Sequence, residues 1–187
     1  MESTNTETPV TGERRASSAG TAVSKPSFDP IATGDYTLKI LGDKVTVAAP
    51  SQSNPESVPY INARFEVLDS ALTEGGKNRL VFPRFFLKNT PTAKGNVPWK
   101  GSSGLNGLAK AIGEEFDVPV IDYTTIGGTT FEILEPVAVK AWLASKDGMT
   151  FKAHVKAVKG GEYVDASGNK QTRNDGNEIA YYIVLSS

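Results

Sequence analysis

Apolar and polar residues alternate with a period of two through most of this chain, and a period near 3.6 takes over clearly once. Residues 36–41 and 45–47 read as one bent strand, opened by Gly34-Asp35 and turned at Gly42-Asp43. Residues 49–59 are rich in Pro, Ser and Asn and read as a loop. Residues 60–68 read as a second strand, with Ile61, Ala63 and Phe65 on one face and Tyr60, Asn62 and Arg64 on the other. After a turn around Gly75 and Gly76, residues 79–88 read as a third strand, in which Phe82, Arg84, Phe86 and Lys88 alternate with Val81, Pro83, Phe85 and Leu87. Pro83 cannot donate to a ladder, which predicts an edge position or a bulge.

The helical period appears in GSSGLNGLAKAIG, where Ser102 or Ser103 is placed to cap and Leu105, Leu108, Ala109 and Ile112 form one face. Gly113 ends it. The free N–H groups of the Gly101-Ser102-Ser103-Gly104 run suit a phosphate, but the run is no Walker motif, and plain capping accounts for it. Residues 118–123 and 129–134 carry weak strand signals, 137–145 and 150–158 read as a hairpin, and 178–185 read as a last strand after a polar excursion. A three-residue loop, Asp147 to Met149, keeps the hairpin faces unmixed and sets 144 opposite 152 and 142 opposite 154. The expected fold class is therefore mainly β: an OB-fold-like five-stranded barrel, one short helix between strands three and four, and an extra C-terminal strand.

Composition adds boundaries. Residues 1–33 are dominated by Ser, Thr, Ala, Gly, Pro and charge, with too little apolar surface to offset the entropy of ordering, which predicts a disordered tail before a domain at 34–187. The chain has no cysteine and one histidine, His154, which excludes disulfides, thiolate metal sites and a Cys nucleophile and is compatible with a reducing cytoplasm. The first ten residues lack the basic start and apolar stretch of a signal peptide. No apolar run approaches the roughly 18 residues that span a bilayer, so no membrane association is expected. Of the 20 basic and 21 acidic residues, three and four fall within 1–33, leaving 17 of each. Any positive groove must then arise by sorting charges onto different faces.

In the hairpin register, one face gathers Lys140, Trp142, Ala144, Lys146, Lys152, His154 and Lys156, and the other gathers Val139, Ala141, Leu143, Phe151, Ala153 and Val155 as core. Cations beside an exposed indole suit phosphates and unstacked bases, although an ordinary solvated sheet face would look the same. Tyr60, Arg64, Arg79, Arg84 and Lys88 extend this set along strands two and three, and Trp99 and Lys100 add a loop indole with its neighbouring cation. Phe82 and Phe86 read equally well as core. Enzyme signatures are missing: a single imidazole lies among lysines, there is no Gly-x-Ser-x-Gly elbow, and the DASGNK run lacks the glycine and closing glutamate of a calcium loop. Glu114, Glu115, Asp117 and Asp122 read as a solvated acidic patch. No catalytic residue, metal or cofactor is expected.

Gly34-Asp35-Tyr36, Phe65-Glu66-Val67, Asn78-Arg79 leading into Phe82 and residues 85–87, then Leu105, Leu108, Ala111 and Gly113, and finally Asn177-Glu178-Ile179 with Tyr182, occur in the order seen in a known family. Over residues 34–182 the chain resembles phage single-stranded-DNA-binding proteins of OB-fold type, long catalogued as a domain of unknown function. The resemblance implies sequence-tolerant coating of single-stranded DNA in phage replication or recombination, in the host cytoplasm, with replication or recombination proteins as further partners and self-association allowed. Many proteins of that function recruit partners through an acidic tail; this sequence ends IAYYIVLSS, so recruitment of that kind is not expected. The alternative from a different class is a phage virion or assembly protein whose aromatic β-face is a subunit interface.

Overall fold

The computed structural model describes residues 29–52, 54–73, 77–89, 101–164, 168–172 and 175–184. Most of the expected tail, the Gly75-Gly76 turn, and the loop carrying Trp99 and Lys100 lie outside the described residues.

Three chain segments each bend and supply a strand to each of two sheets. The first gives β1 (Gly34–Ile40) and, after a 3-10 turn at Gly42–Lys44, β2 (Thr46–Ala48). The second gives β3 (Tyr60–Asn62) and β4 (Phe65–Val67), and the third gives β5 (Leu80–Val81) and β6 (Arg84–Phe86), divided at Pro83. Helix α1 (Gly101–Ile112), the hairpin β7 (Val120–Thr124) and β8 (Thr130–Leu134), and helix α2 (Pro136–Ser145) follow. The chain closes with β9 (Thr150–Val158), the small hairpin β10 (Glu162–Val164) and β11 (Lys170–Thr172), and β12 (Gly176–Ile183).

The larger sheet has the order β12-β9-β1-β4-β5, the second β2-β3-β6, and all their pairings are antiparallel. Because the same segments run through both, the mainly β molecule is a strongly curled half-barrel. Pro83 sits on the third segment, whose strands are terminal in both sheets, where its missing donor costs no ladder bond. Its carbonyl still accepts from Ala63 N–H at 3.0 Å. The alternation delivers Leu38, Ile40, Ile61, Phe65, Val67, Val81, Phe85 and Leu87 to the interior, each at most 1% exposed. Phe151 meets Phe65 edge-on, with ring centroids 5.0 Å apart. Leu105 and Leu108 of α1 close the core against β6, β8, β9 and β12. Tyr182 is buried with its hydroxyl unbonded among the described residues, and burial pushes that hydroxyl's pKa well up.

The structure corrects two expectations. Residues 137–145 belong to a helix, so no hairpin joins them to 150–158. Their alternation was misleading, because Pro136 occupies the first helical turn and Glu135 caps it, accepting from Val137 N–H at 3.1 Å and from Ala138 N–H. Val139 and Leu143, four apart, then share the buried stripe. The β9 half of the expectation stands: Phe151, Ala153 and Val155 are buried and Lys152 and Lys156 exposed. In α1 the helix already includes Gly101, so Ser102 and Ser103 lie inside the first turn rather than capping it. Gly113 ends α1 with φ 72°, as expected.

The bend of the first segment locks onto the end of α2. Gly42 N–H donates to Asp147 Oδ1 at 2.6 Å, and Ile40 exchanges backbone bonds with Gly148 and Met149, both at 2.9 Å. A β carbon on Gly42 would sit 2.8 Å from the Ala144 carbonyl oxygen and 3.0 Å from its α carbon. Both neighbours are backbone, which the joint itself holds in place. Gly42→Ala is expected to lower unfolding free energy by about 1–3 kcal/mol, read as a lower urea midpoint; an unchanged midpoint would show that the joint yields.

Candidate nucleic-acid interface

The β3–β6 register decides which side chains face solvent. Tyr60 pairs with Phe86, Ile61 with Phe85, and Asn62 with Arg84. Ile61 and Phe85 are fully buried, so the residues one step along on each strand must point outward. Phe82 is 57% exposed and Phe86 45%, while Tyr60 is half-buried and Arg64 and Arg84 are exposed. Five side chains, Tyr60, Arg64, Phe82, Arg84 and Phe86, thus share one outer face. Same-face neighbours along a strand stand about 6.7 Å apart, giving ring, cation, ring along the third segment.

Within this face cations already lie on rings. The Arg84 guanidinium is 5.5 Å from the centroid of Tyr60, and that of Arg64 is 5.8 Å from Phe82. Tyr60 and Phe86 are tilted neighbours at 5.8 Å. Leaving a phenylalanine in water forgoes about 1.5–3 kcal/mol of burial. One exposed ring is unremarkable, but adjacent rings between arginines form a patch that a stacking ligand would cover.

The other expected site residues do not join this patch. Trp142 is on α2, half-buried, edge-on to Phe116 at 4.9 Å, with its indole N–H bonded to the Glu115 carbonyl at 3.0 Å. It does not share a sheet face with β9, and Lys140 is exposed on the same helix. The Arg79 guanidinium donates to the Asp29 carbonyl, and the Lys88 ammonium sits 3.5 Å from the centroid of the Phe131 ring. Lys152, His154 and Lys156 do line one face of β9, but in the larger sheet.

On that larger sheet some polar side chains meet partners on the neighbouring strand and others do not. His154 Nδ1 is 2.6 Å from Asp35 Oδ1, and the imidazole stacks on Tyr181 at 4.9 Å. Lys156 stands opposite Glu178 in the register but forms no ion pair with it, and Lys152 forms none among the described residues. Lys39 and Glu66, paired across β1 and β4, form an ion pair, and Asn78 Nδ2 donates to Glu66 Oε1 at 3.2 Å. On the β3–β6 face Arg64 and Arg84 lie over rings and make no ion pair among the described residues.

Phe82 and Phe86 escaped the sequence reading because both faces of the third segment carry aromatics. The usable signal was in the register: strand two divides cleanly into Ile61, Ala63, Phe65 and Tyr60, Asn62, Arg64, and the wholly apolar Val81, Phe85, Leu87 set must share the first face. Among the described residues no group of three or more His, Asp or Glu side chains is placed to hold a metal, and no helix is long and apolar enough to cross a membrane.

Lys39, through its hydrogen bond, holds the Glu66 carboxyl below its ordinary value of 4.5, with partial burial opposing and Asn78 assisting. A carboxyl lowered by folding stabilises the native state above its unfolded pKa, and that contribution is lost as pH falls through the folded value. Wild type is therefore expected to exceed Glu66→Gln in stability near neutrality by about 1 kcal/mol or less, the pair being partly exposed. The gap should close as pH falls below about 4.5; denaturant titrations at several pH values showing a constant gap would contradict this assignment. No family model, no curated protein and no solved structure matches this chain.

Proposed function

We propose that the chain is an OB-fold-type protein that binds single-stranded DNA with little sequence preference, through the outer face of β3 and β6. The reading is supported by the order of elements: a bent first strand, two further antiparallel segments, a helix, and β9 returning beside β1 with β12 outside it. In OB-folds the face of strands two and three carries oligonucleotides. The observation that carries the reading is the set of Tyr60, Phe82 and Phe86 on that face with Arg64 and Arg84, which make no ion pair among the described residues.

Each base stacked on a ring contributes about 1–3 kcal/mol, and every base has a π-face, so such a surface tolerates sequence. Arginines supply phosphate contacts and can slide from ring to phosphate with little desolvation, because a guanidinium is weakly hydrated. Coating of displaced strands in phage replication or recombination, the role implied by the resemblance, goes with this reading. The exposed phenyls also favour a second reading, an assembly protein that buries them between subunits.

Anisotropy of labelled oligo-dT separates the variants. Phe86→Ala is expected to weaken binding by about 5- to 150-fold at every salt concentration. Arg84→Ala is expected to weaken it too, and to reduce the slope of log K against log salt by about 0.7. Absence of oligo-dT binding by the wild type, with a defined DNA-free oligomer in sedimentation, would replace the leading reading with the second.

A further inference from the structure

β5 and β12 are the two ends of the larger sheet, and the curl turns the start of β12 toward the third segment. Between them lies a groove of about 180 Å³ lined by Phe82, Pro83, Arg84, Phe86, Asn177, Glu178 and Ile179. It is continuous with the outer face just described, sharing Phe82, Arg84 and Phe86. Its Ile179 is a buried core residue, so the exposed rings Phe82 and Phe86 are what a flat base can rest against.

The polar groups of the groove are not equivalent. Asn177 is committed: its Oδ1 accepts from Ile31 N–H and its Nδ2 donates to the Ile31 carbonyl, both at 2.9 Å. Glu178 is exposed and its carboxylate makes no hydrogen bond or ion pair among the described residues, although Lys156 stands opposite it in the register. Among the described residues Arg84 rests on the Tyr60 ring and makes no ion pair. The groove thus offers one carboxylate acceptor and one guanidinium donor beside two phenyl rings.

A bare carboxylate repels phosphate, so this groove suits a base rather than the backbone. Bases differ in what they offer it. Guanine presents N1–H and N2–H₂ side by side to a carboxylate, and O6 and N7 to a guanidinium; cytosine offers one amino group. Thymine offers a single N3–H between two carbonyl oxygens, which a carboxylate repels. Resting on the single-strand reading above, we infer that the seam groove takes one nucleobase of an otherwise sequence-tolerant strand. Glu178 makes it select guanine, with cytosine next, over thymine.

The test compares oligo-dT of about 15 nucleotides with the same oligonucleotide carrying one central guanine, by anisotropy, for wild type and Glu178→Ala, each first shown to unfold at the same denaturant midpoint. Wild type is expected to bind the guanine-bearing strand more tightly, within about 5- to 150-fold. In Glu178→Ala the ratio of the two affinities is expected to fall to about one. Equal affinities in the wild type, or a preference that survives in Glu178→Ala, would overturn the base-reading role while leaving single-strand binding standing. Failure of the wild type to bind either strand would overturn the binding reading and this inference with it.

Discussion

The pairing of β3 with β6 is the constraint on which the rest depends. Ile61 against Phe85 buries two side chains completely, and strand geometry then leaves Tyr60, Arg84 and Phe86 no option but to face outward. A slip by one residue would exchange the two sets, sealing guanidinium groups inside and stripping the core of its phenyl ring. The cost of that slip is what keeps two phenylalanines in water. The exposed aromatic patch is thus a consequence of the core beneath it.

In this nearly neutral chain the charges differ in their cross-strand neighbours. On the larger sheet Asp35 meets His154 and Lys39 meets Glu66, each across neighbouring strands. Such partnerships add little stability in water, yet the Lys39–Glu66 pair cancels its own local field. Arg64 and Arg84 have rings for neighbours and meet no carboxylate among the described residues. Total charge therefore says little about this molecule; the identity of each cross-strand neighbour says more.

The helix α2 shows how a local signal can mislead. Val137, Val139 and Ala141 alternate with small or polar residues much as a strand would, and the following Asp147-Gly148 pair looks like a hairpin turn. What decides the outcome is the Glu135-Pro136 pair, which caps and starts a helix, and the spacing of Val139 and Leu143, which buries both on one side. With the helix in place, Trp142 packs on Phe116 and spends its N–H on a carbonyl, and the cation-rich sheet face expected around it is not formed.

Much of the β framework was legible in the chain itself. The period of two placed the bent first strand, the second and third strands, β9 and β12, and Pro83 marked the edge, because these depend on neighbours in sequence and on backbone chemistry. The short helix was legible from its apolar stripe and Gly113. Tertiary structure alone decided which strand sits beside which, and so which cations are answered by carboxylates and which are not. It also brought residues some 95 positions apart, Phe82 and Asn177, to the two walls of one groove. That juxtaposition comes from the curl of the sheets, a property of strand order and register that alternation along a single strand does not carry.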